Sequence, residues 1–314
     1  MPLITIALCT YNGERYVSQQ IESLLAQTGV RIEIIAVDDA SQDGTLAVLQ
    51  GFAERDPRVR VFANPQNLGP SGSFERAMQL GTGELIAPCD QDDIWASGKL
   101  AQLLAAIGKH DLAYCDSAFI DGDGRPTGRK VSDRMSMMSG CLPLQFVFRN
   151  SVSGHASLLR RSLFEIARPF PADVYHDWWL ALCAASRNGI VYLDEALVQF
   201  RRHDDAFSRL GRGGTHKLPG RSRLWLTQRR RLLAAFAQSS LAGHENAAGL
   251  LAVFDDALAG RSRIPLLREL WRLRDSAAER QPAALDAIRL QLRFLRKLRG
   301  ARSEAAPMER DDAK

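Results

Sequence analysis

The densest chemistry in this sequence lies in the acidic run Asp90-Gln91-Asp92-Asp93, one residue after the strand-like stretch 84–88. Two carboxylates two residues apart at a strand end can point to one side and share a hard divalent cation, which keeps coordination positions open for phosphate. The alternative is a solvated acidic loop in which Asp92 or Asp93 caps the helix ahead. Asp38-Asp39 closes another apolar run, and several carboxylates around one crevice repel each other unless a cation or hydrogen-bond donors compensate them. That crowding favours the cation. His176-Asp177-Trp178-Trp179 is a second cluster. Asp177 begins a helix, where it either caps the first turn or acts as a general base at a pocket mouth. In the second case Trp178 and Trp179 form an apolar wall of the kind that holds sugar rings. Arg201-Arg202-His203 reads either as a basic edge strand or as cations answering phosphate charge, with His203 joining a metal shell. His155, after Ser153-Gly154, faces an acceptor or serves the core.

These groups need a scaffold, and the first hundred residues supply an alternating one. Residues 3–9, 32–37, 59–62, 84–88 and 112–115 read as buried strands, and 14–27, 44–56, 74–80 and 100–110 as amphipathic helices. Such alternation predicts an α/β fold with a mostly parallel, Rossmann-like sheet covered by helices on both faces. Ligands of open α/β sheets bind at the carboxyl ends of the strands. Thr10-Tyr11-Asn12-Gly13, Asp38-Asp39-Ala40-Ser41 and the acidic run all fall there. No GxGxxG follows the first strand and no GxxxxGK[ST] occurs, so neither a dinucleotide nor a P-loop site is indicated. Beyond residue 116 the pattern loosens: a hairpin-type turn at 121–124, a Met- and Ser-rich loop at 135–140, a helix over 176–188, and short strands at 189–193 and 197–201. Residues 206–220 read as a linker, 221–302 as a basic amphipathic helical region, and 303–314 as a frayed polar tail.

Charge divides the chain at the same place. The whole of its 314 residues carries a net +5. Residues 1–204 hold 19 Lys+Arg against 24 Asp+Glu, a net of −5, and the remainder holds 22 against 12, a net of +10. A hydrophobic fraction of 46% with 25% charged residues excludes disordered and collagen-like classes. Five scattered cysteines without CxxC spacing read as reduced core thiols rather than a zinc site. With no signal-peptide pattern and no apolar stretch of membrane-spanning length, the expected location is cytoplasmic, with the inner face of the cell membrane as a peripheral site. In the tail, Leu285, Ile288, Leu292 and Leu295 repeat at helical spacing opposite Arg289, Arg293, Arg296 and Lys297. Leu266, Leu270, Trp271 and Leu273 sit among Arg268, Arg272 and Arg274. These helices pack against the first domain or a second copy of the chain, or they bind an anionic lipid surface. No nucleic-acid module accompanies the basic charge, so nucleic acid is not an expected partner.

The segments TIALCTYNGERYVSQQIESLLAQT, IEIIAVDDASQDGT, NPQNLG and GELIAPCDQDDIW together resemble family 2 glycosyltransferases of the GT-A fold, over roughly residues 3–117. The later HDWWLALCAASRNGIVYLDEALVQFRRH is similar to the bacterial branch that includes rhamnosyltransferases of O-antigen and other surface polysaccharides, and extends the likeness to about residue 205. The resemblance implies a catalytic domain over 1–205. Thr10, Tyr11 and Asn12 would line a nucleotide pocket, with Asp39 on the base, Asp38 beside it and Asn67 in the donor-discriminating loop. Asp90 and Asp92 match the DxD motif, Asp92 as direct ligand of Mn²⁺ or Mg²⁺, and His203 the family's late histidine near metal and diphosphate. Arg201 and Arg202 would stabilise the departing nucleoside diphosphate. Asp177 matches the catalytic base, with His155, His176, Trp178 and Trp179 on the acceptor side. Ala40 replaces the usual Gly after the paired aspartates, and His176 replaces a frequent Glu.

The implied activity is metal-dependent, inverting transfer from a dTDP- or UDP-linked sugar, dTDP-rhamnose first, to a saccharide or lipid-linked acceptor. A non-catalytic nucleotide-sugar-binding or scaffold protein on the same fold is the competing reading. A nucleotidyltransferase would want a Gly-rich basic loop after the first strand, which residues 10–14 are not.

Overall fold

The computed structural model describes residues 1–172, 174–203, 221–272 and 291–299. They fall into two compact units, Met1–Asp204 and Asp205–Lys314. The expected linker at 206–220, the tail at 303–314 and the residues Leu273, Arg274, Leu285, Ile288 and Arg289 lie outside the described residues.

The first unit is built on β1 (Leu3–Thr10), α1 (Glu14–Leu25), β2 (Arg31–Asp38), α2 (Thr45–Arg55), β3 (Val59–Ala63), α3 (Gly69–Leu80), β4 (Leu85–Cys89), β5 (Ile94–Trp95), α4 (Lys99–Ile107), β6 (Leu112–Ile120) and β7 (Pro126–Lys130). It continues through α5 (Pro143–Phe148), a single 3₁₀ turn Gly154–Ala156, β8 (Ser157–Arg160), α6 (Arg161–Ala167), α7 (His176–Ala185) and β9 (Ile190–Arg201). The strands run in the order β3-β2-β1-β4-β8-β6-β9-β5, with β7 paired to β6. Pairs β1–β2, β1–β4, β2–β3 and β6–β9 are parallel. β8 runs antiparallel to both β4 and β6, making the sheet mixed at its centre. Alternating apolar residues explain the core: Ile4, Ile6 and Leu8 of β1 pack with Val17, Ile21 and Leu24 of α1 and with Ile34 and Ala36 of β2. Burying one face of each helix against a β-branched sheet is the main stabilising term.

Three departures from the sequence pattern have physical reasons. α3 begins at Gly69 rather than near Phe74, because Pro70 at the first turn is compatible with a helix start. The expected strands 189–193 and 197–201 are one strand, β9, whose register against β6 jumps from Leu193 to Ala196. Asp194 and Glu195 form the bulge that hides this continuity in sequence. β8 has only Leu158 and Leu159 as an apolar signal, too short to read, yet it is almost wholly buried between two strands.

The second unit contains α8 (Arg221–Gln238), α9 (His244–Leu258), α10 (Ile264–Arg272) and α11 over 291–299. Trp225, Phe254 and Phe294 meet edge-on, with Phe294 centred 5.9 Å from Trp225 and 5.1 Å from Phe254. Leu266 and Leu270 are buried as their spacing predicts. On α11 the buried residues are Phe294 and Leu298, while Leu292 is 51% exposed, which corrects the expected apolar face. Phe294 packs against both Trp225 and Phe254, so the face carrying Phe294 and Leu298 is the one turned inward. No described helix is long and apolar enough to cross a membrane.

Candidate active site

The carboxyl ends of β1, β2 and β4 bring three loops together. In the first two, Asp38 is buried and accepts from Thr10 Oγ1 at 3.0 Å, Ser41 Oγ at 2.5 Å and the Ser41 N–H at 3.0 Å. Asp39 is also buried, and its oxygens accept from Asn64 Nδ2 at 2.7 Å and from the N–H groups of Leu68 and Gly69 at 2.8 and 2.9 Å. Asp39 therefore anchors the start of α3, where an anionic group is favoured by the helix dipole. Hydrogen-bond donors, rather than a cation, compensate this pair. Tyr11, Asn12 and Asn67 are exposed at this end. Asn67 reaches the Asp39 carbonyl at 3.2 Å. Asn12 and Ala40 have φ of 48° and 62°, in the left-handed region. This gives a reason why glycine would suit position 40.

The acidic loop divides its carboxylates. The chain bends at Gln91-Asp92, and Asp90 and Asp92 meet different histidines. Asp92 Oδ2 pairs with His203 Nε2 at 2.8 Å. Asp90, whose side chain is 45% exposed, lies 3.5 Å from His155 Nδ1. The fully buried Asp93 lies 3.7 Å from the same nitrogen. Among the described residues, the grouping whose ligand atoms all fall within 4.8 Å of one another is Asp90, Asp93 and His155. His155 thus stands with the metal-type carboxylates rather than on an acceptor side. Asp93 Oδ1 accepts the Arg201 N–H at 3.0 Å, while Oδ2 is buried without a hydrogen-bond partner. Two carboxylates, one with an unsatisfied buried oxygen, beside an imidazole form a donor set that fits a divalent cation, and carboxylate oxygens suit Mg²⁺ or Mn²⁺.

The electrostatics follow from burial. Desolvation, with the charges of Asp92 and Asp90, pushes Asp93 up to about 7 against the opposing effect of His155. Desolvation pulls His155 down, but Asp93 and Asp90 outweigh it and raise its pKa. Asp90 is likewise pushed up by desolvation, yet the hydrogen bond and charge of His155 hold it below the ordinary carboxylate range. Behind them Lys99 is fully buried. Its ammonium donates to the His155 carbonyl and sits 3.0 Å from the centre of the Trp95 ring. Desolvation lowers Lys99 to about 8. Ser117 Oγ lies 3.1 Å from His155 Nε2, fixing the ring from its other side.

Arg201 is 2% exposed. Its guanidinium donates to the Asp92 carbonyl at 2.8 Å, to Gln19 Oε1 at 2.6 Å and to the carbonyls of Asp121 and Gly122 at 3.4 and 3.3 Å. The cation lies under the acidic loop and grips its backbone, not in the crevice facing a phosphate. Arg202 packs its guanidinium over Phe119 and Phe200. The His203 ring packs at 4.7 Å against Tyr16.

At the start of α7, Asp177 is half-buried and accepts from the Trp178 N–H at 2.7 Å. Desolvation raises its pKa, with His176 opposing. His176 stacks at 4.0 Å on Phe74, and its burial lowers its pKa against the opposing charges of Asp177 and Asp90. Trp179 is buried with its indole N–H on the Ala167 carbonyl at 2.7 Å, which removes it from the expected acceptor wall. Helical spacing puts it on the core face with His176 and Leu180. Trp178 is half-buried and gives its indole N–H to the Phe146 carbonyl. Gly154 is where α7 and the acidic loop approach: a Cβ there would stand 2.9 Å from His176 Nε2 and 3.6 Å from Asp177 Cβ. Sequence reasoning gave no role to Gly154, Lys99, Ser117 or Asn64. Only Lys99, a lone cation in the apolar run KLAQLLAAI, carried a signal.

The fold and the carboxylates gathered at its strand ends are those of a GT-A glycosyltransferase. The model of glycosyl transferase family 2 matches residues 5–166, just over half of the chain, and the chain belongs to that family. An uncharacterised glycosyltransferase of Haemophilus influenzae is 27% identical over 233 residues, covering 72% of this chain and 86% of that one. Among solved structures, residues 1–349 of TarS from S. aureus in complex with UDP-GlcNAc align with a TM-score of 0.58 at 18% identity, covering 96% of this chain and 92% of that one. The mannosyltransferase PcManGT of Pyrobaculum calidifontis, in complex with GDP-Man and Mn²⁺, aligns with a TM-score of 0.54 at 16% identity over 96% and 86% of the two chains. At these identities the structures establish the fold.

Proposed function

We propose that this chain is a metal-dependent, inverting glycosyltransferase that moves a sugar from a dTDP- or UDP-linked donor, dTDP-rhamnose first, to a hydroxyl of a saccharide or lipid-linked acceptor in surface polysaccharide assembly. The observation that carries this reading is the junction at Gly154. A Cβ there would stand 3.6 Å from Asp177 Cβ, and the next residue, His155, lies 3.5 Å from Asp90. A candidate base and candidate metal-type carboxylates, distant in sequence, thereby meet at one turn of the chain.

Asp177 accepts the proton of the acceptor hydroxyl. The Trp178 N–H holds its carboxylate, and partial desolvation makes it a stronger base than an exposed aspartate. The acceptor oxygen attacks opposite the departing diphosphate, so a single displacement inverts the anomeric centre. Asp90, kept ionised by His155, presents its half-exposed carboxylate to the crevice. A divalent cation, Mn²⁺ or Mg²⁺, held by Asp90 with Asp93 and His155, or with Asp92 of the family motif, would supply positive charge against the leaving diphosphate. Tyr11, Asn12 and Asn67 offer the exposed surface for the nucleoside. The net +10 after residue 204 suits work on a lipid-linked acceptor at an anionic surface.

Thermal stabilisation by nucleotide sugars in the presence of Mn²⁺, with wild-type protein and Asp177→Asn, tests the reading. The variant should keep the donor-dependent shift and lose transfer by about 100-fold or more. Undiminished turnover removes Asp177 from the base role, and no shift with any donor favours the non-catalytic reading.

A further inference from the structure

We infer that Gln91 is a positioning residue that links the nucleoside-facing loop to the carboxylate loop, so that binding at one tightens binding at the other. The inference rests on the donor reading above and deepens it. Gln91 Oε1 accepts the Tyr11 N–H at 2.8 Å, and Gln91 Nε2 donates to the Tyr11 carbonyl at 3.0 Å. One side-chain amide thus satisfies both backbone groups of Tyr11, as a neighbouring strand would. Tyr11 is 48% exposed at the nucleoside end. Gln91 is flanked by Asp90 and Asp92, so the same amide fixes where those carboxylates stand.

Gly13 supplies an independent sign that this contact is built in. A Cβ at position 13 would lie 2.2 Å from Gln91 Oε1 and 2.4 Å from its Cδ. Gly13 has φ of −112°, which any residue adopts, so glycine is not required there by the backbone. The space it leaves open is occupied by the Gln91 amide. The rest of this loop is tied instead to the β2–α2 connection: the N–H groups of Asn12, Gly13 and Glu14 go to Ser41, Thr45 and Asp43 at 3.0, 2.8 and 3.2 Å. Removing the Gln91 contact therefore frees the acidic loop from the first loop while leaving that loop anchored.

A full nucleoside diphosphate could touch the metal itself, so the test uses a ligand without phosphate. Mn²⁺ is titrated into the full-length protein, by electron paramagnetic resonance of the free ion, with and without saturating uridine or thymidine. In the wild type the nucleoside should tighten Mn²⁺ about 5- to 10-fold, at the lower end of ordinary coupling between sites. Gln91→Ala should bring that factor close to one. Gly13→Ala, which keeps Gln91 but displaces the end of a flexible side chain, should do the same with an unchanged melting temperature. Backbone amide exchange at Tyr11 in metal-free protein should rise in both variants. Wild-type coupling retained in both variants overturns the inference, as does a wild type in which the nucleoside leaves Mn²⁺ affinity unchanged. Failure of the wild type to bind UDP or dTDP with Mn²⁺ at all would remove the donor reading as well.

Discussion

Arg201 separates two accounts of the basic residues at the end of β9. As a cation for the diphosphate, it would be replaceable by lysine without structural cost, and its loss would appear as weaker donor binding. The structure assigns it a different task. Its guanidinium is 2% exposed and reaches four acceptors, two of them short, at 2.6 and 2.8 Å. Hydrogen bonds made by a charged group contribute about 1.5–3 kcal/mol each. The two short contacts therefore amount to roughly 3–6 kcal/mol, reduced because deleting a buried cation also removes its desolvation cost. Arg201→Met should destabilise the first unit by about 3 kcal/mol. For a unit of its size, each kcal/mol moves the melting temperature by roughly 2–4 °C, so a fall of about 6–12 °C is expected by calorimetry. Arg201→Lys keeps the charge but replaces the planar fork with a point donor, and should recover no more than about a third of the loss. The refuting result is a lysine or methionine variant that melts like the wild type while its donor KM rises several-fold. That outcome would place the cation at the phosphate.

Two further outcomes test other parts of the site. Asp177 must be unprotonated to act as a base, so turnover should fall as pH drops through its raised pKa, above the ordinary carboxylate value of about 4. His176 opposes that rise, so the acid limb of the kcat profile should move to higher pH in His176→Phe; an unmoved limb would detach His176 from the base. At Ala40, φ of 62° costs about 1 kcal/mol for a residue with a Cβ. Ala40→Gly should raise the melting temperature by about 1–2 °C after the entropy of glycine in the unfolded chain is deducted, and a lower one would show that the turn carries no strain.

The sequence by itself determined the alternating first half, because buried strands and amphipathic helices write their periods directly into the order of residues. Strand ends could then be located, and with them Thr10-Tyr11-Asn12, Asp38-Asp39 and the acidic run. The break near residue 205 was equally legible, since charge is a sum over composition and needs no geometry. The partnerships were left to tertiary structure. Asp90, Asp92 and Asp93 are neighbours in sequence, but the bend at Gln91-Asp92 gives one to His203 and the other two to His155. Whether Asp39 faces ligand or caps α3 depends on where Leu68 and Gly69 fall, and a strand-end rule cannot place them. Arg201 and Trp179 carry side chains suited to ligands, yet both are buried with their donors spent on backbone carbonyls and on Gln19. A residue type sets what a group can do. The direction of its side chain, fixed by long-range packing around β8, β9 and α7, decides what it meets.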